Sequence, residues 1–107
     1  MKTKVWFIRH KPTGFYLPLP KGGGRGGSYV EPTDPTIEPP RVFFSERAAI
    51  SALGMWLLGK FYENRAYASH ESTSYDDVDR GVIPVPTRKR EEMDIVGIEI
   101  ELPGAVA

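Results

Sequence analysis

The sequence predicts an α+β fold: a small antiparallel sheet, made of an N-terminal hairpin, a third strand and a C-terminal strand, with one amphipathic helix packed on it. Three observations carry that expectation. Residues 4–10, KVWFIRH, are β-branched and aromatic, the composition of a strand. Residues 46–61 repeat apolar side chains at helical spacing. Residues 94–102, DIVGIEIEL, alternate apolar residues with Gly or Glu, as a half-buried strand does. A chain of 107 residues is one domain's length. Within it a Gly/Pro-rich loop is expected at 18–40 and a polar acidic loop at 64–81.

In chain order, the first strand points Val5 and Phe7 to one face and Trp6 and Ile8 to the other. Apolar groups on both faces predict a strand covered on both sides. Lys11-Pro12-Thr13-Gly14 has turn chemistry, Pro fixing φ and Gly allowing a positive one. Phe15-Tyr16-Leu17 then returns as the second strand, and Pro18 and Pro20 end the hairpin. Arg41-Val42-Phe43-Phe44 reads as a third strand. Ser45 is the expected N-cap of the helix, with Glu46 in the first turn where the macrodipole favours an acid. The helix is expected to reach about Phe61, with Ala49, Ile50, Leu53, Trp56, Leu57 and Phe61 as its apolar stripe. Met55 and Leu58 fall off that stripe and suit a second contact. Val82 to Val85 is a short strand candidate.

The bulk composition excludes several function classes. There is no cysteine, so there is no disulfide framework, thiolate nucleophile or thiolate metal site. The apolar run Val5 to Ile8 is too short for a signal peptide or a membrane span, so an intracellular protein without membrane contact is expected. Fourteen basic and fourteen acidic residues cancel. Their placement is uneven: Lys2, Lys4, Arg9, Lys11, Lys21 and Arg25 face no acid within the first thirty residues. Arg88-Lys89-Arg90 forms a second basic cluster, and a basic patch on a neutral protein follows as an expectation.

The stretch KGGGRGGSY, residues 21–29, matches the G-x-G-x-x-G pattern through Gly22, Gly24 and Gly27. Dinucleotide loops need a strand before the glycines and a helix after them. Here prolines precede and Ser28-Tyr29-Val30-Glu31-Pro32 follows, so no cofactor is expected from it. Gly24-Arg25-Gly26-Gly27 is one RGG unit, and repeated units of that kind grip nucleic acid. A mobile, positively charged arm is the expectation for this stretch. Val5 to Lys11 resembles the opening of histidine phosphatases, where a strand delivers Arg-His-Gly to a phosphate. Lys11 replaces the glycine, and the other histidine, His70, lies in the acidic loop. Glu71, Asp76, Asp77 and Asp79 lack the spacing of a calcium loop, and no metal site is expected. Tyr16, Tyr29 and Tyr75 lie in or beside loops and are interface candidates.

Four blocks, Arg9 to Gly14, Arg25 to Ser28, Arg41 to Ala49 and Pro84 to Val96, resemble small accessory proteins of tailed bacteriophages and prophages. That resemblance implies a bacterial cytoplasm and an accessory role, and transfers no catalytic residue. The first functional expectation is therefore a non-catalytic protein that binds a protein partner, itself or a host factor, through Tyr16, Tyr29, Met55, Leu58 and Tyr75. The second is a nucleic-acid-associated protein using Arg9, Lys11, Lys21, Arg25, Arg88, Lys89 and Arg90. The third is a phosphatase-like hydrolase using Arg9 and His10. No small-molecule substrate is indicated.

Overall fold

The computed structural model describes residues 1–20, 27–64 and 79–104, with the backbone alone at 63–64 and 79–80. Lys21, Gly22, Gly24, Arg25, His70, Tyr75 and most of the acidic loop lie outside the described residues. The elements run β1 (Lys2–His10), β2 (Phe15–Tyr16), α1 (Glu46–Leu58), β3 (Lys60–Asn64), β4 (Asp79–Ile83), a 3₁₀ turn at Arg90–Glu92, and β5 (Met93–Glu101). They form an α+β fold with a three-stranded antiparallel sheet, β2-β1-β5, and a separate antiparallel ribbon, β3-β4.

β1 is central. It pairs with β5 along its whole length, from Lys2 opposite Glu101 to His10 opposite Met93. Directly opposed residues share a face. One face therefore carries Trp6, Ile8 and His10 with Gly97, Ile95 and Met93. α1 lies on this face, and Ala49, Leu53 and Trp56 join Ile8, Leu17, Phe43 and Met93 in the core. The other face carries Val5, Phe7 and Arg9 with Ile98, Val96 and Asp94. Both faces of β1 are apolar as expected, but α1 covers only one. In β5 the alternating apolar set of the sequence, Val96, Ile98, Ile100 and Leu102, is not the one that meets α1; Met93 and Ile95 are. The pairing with β1 brings Ile95 beside Ile8 and Met93 beside His10.

The hairpin turns through Gly14, at φ 74°, with its N–H donating to the His10 carbonyl at 2.8 Å. Past β2 the sheet edge changes hands. Leu17 N–H still donates to Ile8, and then Phe43 takes over with a two-way bridge to Trp6, 2.9 Å in each direction. The expected third strand is thus a single bridge, because Arg41 has already turned to donate to Leu17. The segment between is fastened to the hairpin by bridges Tyr16–Thr33 and Pro18–Pro40.

Ser45 caps α1 as its sequence predicts, its Oγ accepting from the Ala48 N–H at 3.1 Å. The helix stops at Leu58 rather than near Phe61, because Gly59 takes φ 130° and its N–H turns back to the Trp56 carbonyl. A Cβ on Gly59 would stand 2.1 Å from the Ile83 carbonyl oxygen, so β4 fills the space where a further turn would run. Phe61 belongs to β3, opposite Val82.

Candidate functional site

Lys11, from the N-terminal basic run, meets the second basic cluster at one end of the sheet, while Lys2 and Lys4 lie at the other end of β1. Lys11 N–H donates to the Glu92 carbonyl at 2.8 Å, which holds the segment before β5 against the end of β1. Lys11, Lys89 and Arg90 are exposed there, with Glu91 and Glu92 interleaved. Beneath them is a cavity of about 340 Å³ lined by His10, Thr13, Phe15, Glu31, Trp56 and Lys89 among others. The His10 Nδ1 lies 2.7 Å from the Thr13 Oγ1, and the same hydroxyl oxygen accepts from the Phe15 N–H at 3.2 Å.

Arg9 is absent from this group. Successive strand residues point to opposite faces, so Arg9 leaves on the side away from His10. There it forms a two-bonded pair with Asp94, at 3.1 and 2.7 Å. The hydrogen bond that Arg9 donates to Asp94, then the carboxylate's charge, raises the Arg9 pKa above its ordinary value. The Arg9-His10 dipeptide therefore does not present a convergent pair to a phosphate, as the phosphatase reading requires.

Arg88 corrects a second expectation. It is not a surface cation: its side chain is 1% exposed. Its Nη1 donates to the Trp56 carbonyl at 2.8 Å and its Nη2 to the Ser28 carbonyl at 2.8 Å. Its Nε donates to Glu31 Oε2 at 3.0 Å, and its Nη2 closes on the same oxygen. The guanidinium plane lies 4.3 Å from the Trp56 ring, whose own Nε1 donates to Val30 at 2.8 Å. Trp56 is in the last turn of α1, so Arg88 supplies the cation that a helix C-terminus favours and ties it to residues 28–31. Nothing in the run Thr87 to Glu92 distinguishes Arg88 from Lys89 or Arg90. Its burial depends on segments some sixty residues away in the chain, Ser28 among them.

The interface candidates fall in different places. Tyr16 is half-buried on the sheet and meets Phe7 edge-on, 5.9 Å between centroids. Tyr29 is exposed, and its hydroxyl donates to the Phe61 carbonyl at 2.6 Å. Met55 and Leu58 are 53% and 56% exposed on the outward side of α1. Ile50, expected in the buried stripe, is 51% exposed and joins them. The buried stripe is narrower than the helical spacing predicts: the sheet covers only the arc around Ala49, Leu53 and Trp56. Phe44, just before the helix, is also exposed. Among the described residues, no cluster of three or more His, Asp or Glu is arranged to hold a metal ion, and no helix is long and apolar enough to cross a membrane.

Comparison with protein families, with curated proteins and with solved structures finds no match in any of the three.

Proposed function

We propose that this chain is a non-catalytic binding protein whose contact surface is the outward side of α1, met by a protein partner, a second copy or a host factor. One observation carries the reading. On the side of α1 that the sheet leaves uncovered, Ile50, Met55 and Leu58 are each more than half exposed, beside the polar Arg47 and Ser51. Large apolar side chains grouped on an exposed face mark a contact surface. Ile50 and Leu58 lie two turns apart along the outer surface, with Gly54 between them and Met55 on the next flank. The resemblance of four sequence blocks to small phage and prophage proteins supports a bacterial cytoplasm as the setting.

The test is sedimentation velocity over a concentration series, joined to affinity capture from bacterial lysate with and without nuclease. Wild type is expected to form a complex that survives nuclease, and the double variant Ile50→Lys/Leu58→Lys to lose it while keeping its fold by circular dichroism. A wild type that stays monomeric and captures nothing, or a variant that retains the complex, would overturn the reading.

A second reading rests on Lys11, Lys89 and Arg90, exposed together at one end of the sheet. It predicts nucleic-acid affinity that falls steeply with salt. Loss of the captured partner on nuclease treatment would favour it over the first.

A further inference from the structure

Beside α1, on the flank away from Ile50, a second cavity of about 270 Å³ opens between Gly27, Ser28, Arg41, Ala52, Met55, Trp56 and Phe61. Its walls are mostly apolar, and Arg41 is the one charged group among the described residues that line it. The Arg41 guanidinium lies 4.7 Å from the Phe43 ring. Among the described residues no carboxylate pairs with it, whereas Arg9 and Arg88 each have one. Gly27 leaves room for it: a Cβ there would stand 3.0 Å from the Arg41 Nη1. The polar groups of Ser28 are already engaged, its Oγ by the Phe61 N–H and its carbonyl by Arg88. The cavity therefore combines an apolar wall with one half-buried cation that lacks a counter-charge.

We propose that this cavity binds an apolar monocarboxylate, a ring or short chain against Trp56 and Phe61 with its carboxylate on the Arg41 guanidinium. The guanidinium fork matches a carboxylate in two-bonded geometry, and partial burial strengthens that bond. A phosphate fits less well. It carries roughly −1.5 to −2 charges at neutral pH and would meet a single cation. The size agrees with a ring plus a short tail, just below the roughly 300 Å³ at which pockets for larger ligands begin. The cavity adjoins the proposed partner surface: Met55 belongs to both, whereas Ile50 and Leu58 do not line it.

The carboxylate could belong to a free acid or to the last residue of a peptide, and two probes separate these. One is 3-phenylpropionate, with 3-phenylpropionamide as its uncharged control. The other is a tetrapeptide ending in Phe with a free carboxylate, with its C-terminal amide as control. Titration calorimetry gives the affinity, and amide chemical shifts at Gly27, Ala52 and Phe61 give the location. Binding of either charged probe with shifts at those residues is expected, and the probe that binds names the source. The uncharged controls are expected to bind at least roughly tenfold more weakly, the effect of one charge-assisted contact. Arg41→Gln should weaken the charged probe by a similar factor, and Ala52→Leu, which fills the cavity, should abolish binding. If Arg41→Gln does not fold, the control probes and Ala52→Leu decide. Equal binding of acid and amide, unchanged affinity in a folded Arg41→Gln, or no binding of either probe up to about 10 mM would overturn the proposal.

Discussion

The carbonyls of Ser28 and Trp56 and the carboxylate of Glu31 converge on the Arg88 guanidinium. Arg88→Ala removes the donor that those three groups share, and the loss of one partner from a buried charged network costs about 3 kcal/mol or more. Urea unfolding of the variant is expected to show that loss. Arg88→Lys is expected to recover little of it, since one ammonium cannot span acceptors on three sides of a planar group. At Asp34 the effect is one of pH. The Thr36 N–H and hydroxyl donate to Asp34 Oδ1 at 2.9 and 2.8 Å, and those bonds, the backbone one first, lower the carboxyl pKa below its ordinary value. Because the folded-state pKa is the lower one, its stabilising contribution is present above the ordinary carboxyl value and fades as the pH falls through the lowered one. NMR titration of the Asp34 carboxyl should give a depressed midpoint, and Thr36→Ala should move it up. At this scale the sequence was readable where the chemistry is local. The Lys11-Pro12-Thr13-Gly14 turn is of that kind, and the Arg88 cage is not.

Among the elements, α1 shows the same division. Its start was legible, because Ser45 and Glu46 satisfy the first turn by themselves. Ser45→Ala is expected to cost about 1 kcal/mol, read from the unfolding midpoint. Its end was not legible, because Phe61 continues the apolar spacing and the actual stop lies in contact with β4. Gly59→Ala combines a disfavoured φ with a clash against the Ile83 backbone, and should destabilise by about 2 kcal/mol or more. Partial proteolysis should then cut first near residues 59–62. β3 was hidden for the same reason, its KFY sequence serving equally as the last turn of a helix. The Arg41–Phe44 segment has strand composition, yet its partners change within three residues, so only Phe43 pairs with β1. In β5 the alternation was plain, but which phase faces α1 was fixed by register with β1.

For the whole molecule, the fold class was legible because hydrophobic periodicity is averaged over many residues. The candidate site depends on single placements, and those were only partly so. Strand parity already separates Arg9 from His10, whereas the meeting of Lys11 with Lys89 needed the β1–β5 pairing. The Arg41 cavity had no signal in the sequence, since its walls come from four separate segments. The two sides of α1 should respond differently to truncation. Leu53→Ala, in the core, is expected to cost about 2 to 5 kcal/mol. Leu58→Ala should change the stability of the monomer by no more than about 0.5 kcal/mol. Equal losses in thermal unfolding at low concentration would mean that the outward face is not free.

The pairing of β1 with β5 also sets when this protein can fold. Of the described elements, β1 is synthesised before the helix and the ribbon, and its long partner β5 after them. Until β5 emerges, β1 has only the short β2 and the Phe43 bridge beside it, and the Met93 corner of the core is missing. Until then Trp6 and Ile8 lack their β5 neighbours Gly97 and Ile95, and α1 lacks Met93. Closure then waits on a contact spanning nearly the whole chain, which makes folding slow and leaves the growing chain open to chaperones or to an early partner. Removing the last few residues of β5 would not trim an end; it would withhold the strand on which the sheet closes.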